Sequence, residues 1–149
     1  METSSSILKR GRSACMAALV AAAILAAPAG AHHSTAAYDN SSVVRIEGKV
    51  TQFRWINPHA SFKVEGKAEG GSDGLWTVEM TAPNILILQG WKRTSLRVGD
   101  DVVVFVNPLR NAENFTLNDG SQGGLYVGVV LADGSSLGRT DGQGQGTDD

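Results

Sequence analysis

The chain has 149 residues and a formal net charge of −2 at pH 7, a size that suits one domain with a modest core. A mildly acidic protein gains nothing from neutralising phosphates, so nucleic acid is excluded as an expected partner. The only cysteine, Cys15, lies in a segment that we expect to be removed, which excludes disulfides, thiolate metal ligands and a cysteine nucleophile.

Residues 1–31 match a secretory signal peptide. Three basic residues precede an apolar run over Ala14–Ala27, and Ala29-Gly30-Ala31 fits the A-x-A cleavage pattern. We expect cleavage after Ala31, export through the general secretory route and a periplasmic location. The apolar run is too short to span a bilayer, and no later segment approaches that length, so no transmembrane segment is expected in the mature chain.

The mature chain would begin with a polar arm, residues 32–42, which has no helical or strand period. Val43–Ile56 then alternates apolar and polar residues and predicts a long half-buried first strand. Gly48 would let this strand bend, and the shift of apolar phase at Phe53 predicts a bulge.

After an Asn57-Pro58 turn, the same alternation predicts a second strand over Ala60–Gly66 and a third over Leu75–Met80. A short helix is predicted from Pro83, which suits a first turn, to Gln89. Gly90 stands where a left-handed residue would end the helix, so that Trp91 packs back over it.

The apolar run Asp101–Asn107 predicts a fourth strand that is buried on both faces, and a polar loop leads to a fifth over Leu125–Leu131. Asp133-Gly134 is a hairpin signal that turns the chain back towards Leu137. Residues 138–149 contain no apolar side chain, so we expect a disordered tail.

Three strands, a short helix and two more strands are the element order of an all-β, five-stranded OB-like barrel. The expected organisation is a signal peptide over residues 1–31, the barrel domain over 32–137 and the tail over 138–149. The alternative is another kind of β-sandwich, which would place a strand where the helix is predicted.

Several short motifs resemble one family of small exported bacterial proteins, domain of unknown function 6152. The resemblance spans His32 to Leu137 and implies export and this fold, but no activity. Family members commonly have Phe after His-His-Ser, where this chain has Thr35. The motifs are His32-His33-Ser34, Gly48-Lys49-Val50, Trp55-Ile56-Asn57-Pro58-His59, Gly90-Trp91, Leu96-Arg97-Val98-Gly99-Asp100-Asp101-Val102 and Ala132-Asp133-Gly134.

Cleavage after Ala31 would expose a free amine on His32, next to the imidazole of His33. An N-terminal amine and imidazoles form a nitrogen set that suits Cu(II), and zinc or nickel could also be held. His59 is the third candidate ligand, with Met80 or a carboxylate as a possible addition. The alternative is that the His32-His33 pair has no role beyond being an acceptable N-terminus of the mature chain, and that the His59 side chain forms a hydrogen bond with the backbone of its own turn.

The arm's reach to His59 limits this hypothesis. Strand one carries the chain away by roughly 45 Å at about 3.3 Å per residue, and the arm can return at most roughly 36–40 Å. A bend would shorten the gap, but the sequence does not favour contact, so a site of His32 and His33 alone is the more conservative form.

The sequence therefore predicts a periplasmic, non-enzymatic binding module. The most specific ligand hypothesis is a first-row metal ion, with copper as the first choice. The alternative is a metal-free OB-like domain of the cell envelope that binds a small ligand or a protein. A copper-dependent oxidase is a third class, but no substrate surface for it can be identified. No Ser-His-Asp order and no carboxylate–histidine cluster is evident.

Overall fold

The structure is a computed structural model that describes residues 37–71, 73–110 and 117–142. The expected cleavage site, His32 and His33 lie outside the described residues, as do 143–149 of the expected tail. The elements are β1 (Val44–Arg54), β2 (Ser61–Ala68), β3 (Asp73–Glu79), α1 (Pro83–Leu88), β4 (Asp101–Pro108), β5 (Gln122–Val130) and β6 (Ser136–Gly138).

Five of the strands form a closed barrel. Their order in the sheet is β3-β2-β1-β4-β5, β6 extends the sheet from β5, and a parallel pairing of β3 with β5 closes the ring. The other pairings are antiparallel, and α1 lies between the third and fourth strands of the chain. The predicted five-stranded barrel with one short helix is confirmed.

β1 pairs with β2 along one edge and with β4 along the other. Gly48 stands opposite Gly66 of β2, and a Cβ on Gly48 would lie 2.3 Å from the Glu65 carbonyl oxygen. Only glycine permits that approach. The register shift falls between Val50 and Gln52, just before the predicted position at Phe53.

The parallel closure uses residues that the sequence pattern assigned to a loop. β5 begins at Gln122, and Gly123 and Gly124 pair with Thr77 and Val78 of β3. Glycine is depleted in strands, so local propensity gives no signal here. It is required at Gly124, because a Cβ would lie 2.8 Å from the side chain of Val106.

The barrel interior is filled by the apolar face of each strand, as the alternation predicts. Val44 is only partly buried at the edge of the core, and Val127 is buried outside the main cluster. The strand residues inside the cluster include Ile46, Val50, Phe62, Val64, Val78, Val102, Val104 and Val129.

One end of the barrel is covered by α1 and the residue that follows its C-terminal turn. Gly90 has φ +89°, its N–H bonds the Ile87 carbonyl, and the Trp91 N–H bonds the Leu86 carbonyl. These two bonds make a Schellman ending with the left-handed glycine that the sequence predicts. Trp91 is thereby turned back onto the barrel and is 1 % exposed.

Across residues 37–71, 73–110 and 117–142, no helix is both long and apolar enough to cross a membrane. The sheet continues one residue into the segment assigned to the tail, because β6 includes Gly138, and the Arg139 N–H bonds the Val127 carbonyl.

Candidate functional site

Residues 37–39 of the arm lie beside the end of β4 and the two residues that follow it. The Arg110 N–H bonds the Ala37 carbonyl at 3.0 Å, the Asp39 N–H bonds the Pro108 carbonyl at 2.8 Å, and Tyr38 pairs with Leu109 in an antiparallel bridge. The sequence pattern gave this arm no order of its own. Tertiary backbone hydrogen bonds supply it, because the Pro108 carbonyl at the end of β4 accepts a bond from the arm and the Arg110 N–H just beyond β4 donates one to it.

Glu79, the last residue of β3, is the centre of the candidate site. Its neighbours Val78 and Met80 are 0 % and 2 % exposed, so strand alternation directs the Glu79 side chain to the outside of the barrel. One carboxylate oxygen, Oε2, accepts a hydrogen bond from the Tyr38 hydroxyl at 2.7 Å. The other, Oε1, lies 2.8 Å from Nδ1 of His59.

His59 is placed by the turn between β1 and β2. The Ala60 N–H bonds the Thr81 carbonyl at 3.1 Å, and the Met80 N–H bonds the Ala60 carbonyl at 2.9 Å. This pairing continues the β2–β3 ladder beyond Ser61 and Glu79, which stand opposite each other. His59 therefore reaches the Glu79 carboxylate while its own side chain remains 46 % exposed.

The contact with Glu79 fixes the chemistry of the imidazole. A carboxylate offers only hydrogen-bond acceptors, so Nδ1 of His59 carries the proton and donates it. In the neutral ring the lone pair is then on Nε2. A histidine held in this way by a carboxylate is the arrangement that orients metal-ligating imidazoles.

The tyrosine that shares Glu79 is half-buried. Burial, followed by the hydrogen bond and the negative charge of Glu79, raises the pKa of Tyr38 well above its usual value. The chain has only one other tyrosine, Tyr126, and burial raises its pKa as well. Both hydroxyls are therefore held in the neutral form by the fold.

We expect no tyrosinate absorbance from the native protein as the pH passes 10, the usual tyrosine pKa. Because the unfolded chain ionises first, stability is unaffected below that pH and falls above it. Tyrosinate should appear together with unfolding in a titration followed by near-ultraviolet absorbance and far-ultraviolet circular dichroism. A tyrosinate signal near pH 10 from a chain that is still folded would contradict the buried environment of both hydroxyls.

The outer face of β2 and β3 next to the site is polar. Lys63 on β2 forms an ion pair with Asp119, and the Thr77 and Ser121 hydroxyls are 2.8 Å apart. The hydrogen bond from Lys63, together with those from Ser121, lowers the pKa of Asp119. These contacts hold the segment that leads into β5 against β3, two residues before Glu79.

Of the predicted ligands, the structure describes His59 and Met80, whereas His32 and His33 lie outside the described residues. His59 lies at the site. Met80, considered as an additional ligand, is in the core on the opposite side of β3 from Glu79. Within the three described ranges, no group of three His, Cys, Asp or Glu side chains could hold a metal ion.

Sequence reasoning missed the shared contact of Tyr38 and His59 with Glu79. The alternation along β3 places Glu79 and Met80 on opposite sides of the strand, but it does not identify the partners of Glu79. Tyr38 of the arm covers the outer side of β3 at Glu79. No local sequence pattern predicts where the arm lies.

The model of a family of unknown function, DUF6152, matches residues 19–118, which is more than half of the chain and includes Tyr38, His59 and Glu79. No curated protein and no solved structure matches the chain. The family assignment that the sequence motifs suggested is therefore confirmed. This chain belongs to DUF6152, an uncharacterised family.

Proposed function

We propose that this protein is an exported, non-enzymatic binding module of the periplasm that holds a first-row transition metal, Cu(II) in preference. Its ligands would be Nε2 of His59, the amine and ring of His32 and the ring of His33. One observation carries the proposal: the carboxylate of Glu79 binds both His59 and Tyr38, a residue of the arm on which the other two histidines lie.

This shared carboxylate shortens the distance that the arm has to cover. His33 is five residues before Tyr38 and His32 is six, so their contour lengths from Tyr38 are at most about 18 Å and about 22 Å. The estimate from sequence assumed that the whole arm has to return along the length of β1 to reach His59. Because Ala37 and Asp39 pair with residues at and just beyond the end of β4 and Tyr38 already contacts Glu79, only the residues before Ala37 have to span the remaining distance.

The chemistry of the donors supports copper as the first choice. An amine and up to three imidazole nitrogens make an all-nitrogen set, and Cu(II) is the tightest binder of such sets among divalent first-row ions. The Glu79 carboxylate supplies the outer partner that holds one imidazole in the correct tautomer.

The test is a Cu(II) titration of the exported protein and its variants against a competing chelator. We expect His59→Ala to weaken binding, and Glu79→Gln to weaken it by about 10–100-fold because the imidazole loses its charged partner. Glu65→Gln is the matched control. Glu65 is an exposed glutamate on β2, so this substitution removes the same charge at a position away from the site. Unchanged affinity in His59→Ala would remove this residue from the ligand set, and no binding by the wild type would refute the function.

A further inference from the structure

The connection between β3 and β4 has an unusual charge balance. Residues 80–100 contain three basic residues, Lys92, Arg93 and Arg97, and one acidic residue, Asp100, although the whole chain has a net charge of −2. All three basic residues are exposed. Within the described ranges, none of the three forms an ion pair. The connection is therefore a local positive surface on an acidic protein.

The same connection exposes most of the large apolar side chains that face solvent. Five such side chains are exposed in the described residues, and only Ile56 lies outside residues 80–100. α1 has the sequence Pro-Asn-Ile-Leu-Ile-Leu, without a charged residue, and buries only Pro83 and Leu86. The exposed residues of the connection are Ile85, Ile87, Leu88 and Val98.

The C-terminal turn of α1 brings the two features together. The Trp91 N–H bonds back to the Leu86 carbonyl, and the Lys92 N–H bonds Oγ of Ser95 at 2.9 Å. The chain thus turns at the end of the helix. Lys92 and Arg93 therefore follow directly on the turn that ends α1, whose last two residues, Ile87 and Leu88, are 59 % and 84 % exposed.

We propose that α1 and residues 91–98 dock on the surface of an anionic lipid bilayer. Exposed aliphatic side chains next to Lys and Arg are the combination that inserts into the headgroup boundary while binding anionic lipids. A protein partner is a weaker fit. The centres of protein interfaces are enriched in aromatic anchors, whereas here the only aromatic residue of the connection, Trp91, is buried in the barrel.

The experiment is co-sedimentation with vesicles of phosphatidylglycerol mixed with phosphatidylcholine and with vesicles of phosphatidylcholine alone. The protein is used as recovered from the exporting cell, and its N-terminus is identified by intact mass, so that wild type and variants share it. We expect binding to the mixed vesicles, weaker binding at high salt because of screening, and little binding to phosphatidylcholine alone.

Two double variants separate the apolar and charged contributions. Ile87→Ser with Leu88→Ser, and Lys92→Gln with Arg93→Gln, should each weaken binding at least ~10-fold. Ile56→Ser is the matched apolar control, and Lys49→Gln with Lys67→Gln removes the same charge from exposed positions on β1 and β2. Both controls should bind as the wild type does, and far-ultraviolet circular dichroism should show every variant folded.

Equal binding by the double variants and their controls would overturn the proposal. So would a wild type that ignores vesicles but forms a dimer that Ile87→Ser with Leu88→Ser abolishes, since the occupant would then be a second copy of the chain.

Discussion

Adding Gly-Ser-Gly-Ser before His32, a length that does not place a histidine at the third position of the new terminus, should weaken Cu(II) binding at least ~10-fold, which corresponds to about 1.4 kcal/mol or more. The extension converts the terminal amine into an amide, whose nitrogen is a poor ligand until it loses its proton. The amine and ring of one residue form a chelate, so losing the amine also removes the benefit of holding both donors on one residue. A competition titration with a chelator of known affinity measures the difference.

The N-terminus must be established before this result can be interpreted. Intact mass of the exported protein should give a chain that begins at His32, and a retained leader or a start at Ala36 would remove the premise. If the amine and His59 bind the same ion, the extension should cost less in a His59→Ala background, since neighbouring contributions are not additive. Equal affinity of native-start and extended protein would rule out the chelate while leaving a site at His59 and Glu79 open to separate measurement.

Trp91→Ala should lower the free energy of unfolding by about 3–5 kcal/mol, the range for truncation of a large buried aromatic residue. Trp91 is 1 % exposed and packs against three other rings. The ring centroids are 6.2 Å from Phe53, 6.4 Å from Phe62 and 5.3 Å from Tyr126. The truncation would open a cavity where α1 covers the barrel.

Trp55→Ala is the matched control for this prediction. Trp55 is half-buried, and its ring contact is with Phe53, at 5.7 Å. Because less of its surface leaves water on folding, its truncation should cost clearly less. Urea unfolding followed by far-ultraviolet circular dichroism gives both values. Similar losses in the two variants would show that Trp91 does not support the end of the barrel as its contacts indicate.

Local sequence signals were sufficient for most elements of the fold. Alternation identified the buried faces of β1, β2 and β3, because apolar side chains recur at every second position of a strand that has one face buried. Gly90 identified the end of α1, because the left-handed backbone of a Schellman turn favours glycine. In each case the physical cause lies within a few residues of the signal.

The start of β5 and the candidate site could not be predicted in this way. Gly123 and Gly124 have the composition of a loop, and only the closure of the barrel against β3 makes them a strand. Tyr38 and His59 meet at Glu79 across separations of 41 and 20 residues. No periodicity reaches that far.

The sequence by itself determined the order of the elements, the interior face of the first strands, the family and the three histidines worth considering. The tertiary structure alone decided that the arm returns along β4 and that one carboxylate holds both its tyrosine and His59. The reason is that strand periodicity and turn chemistry are local properties, whereas the neighbours of an outward-facing side chain depend on how the sheet closes.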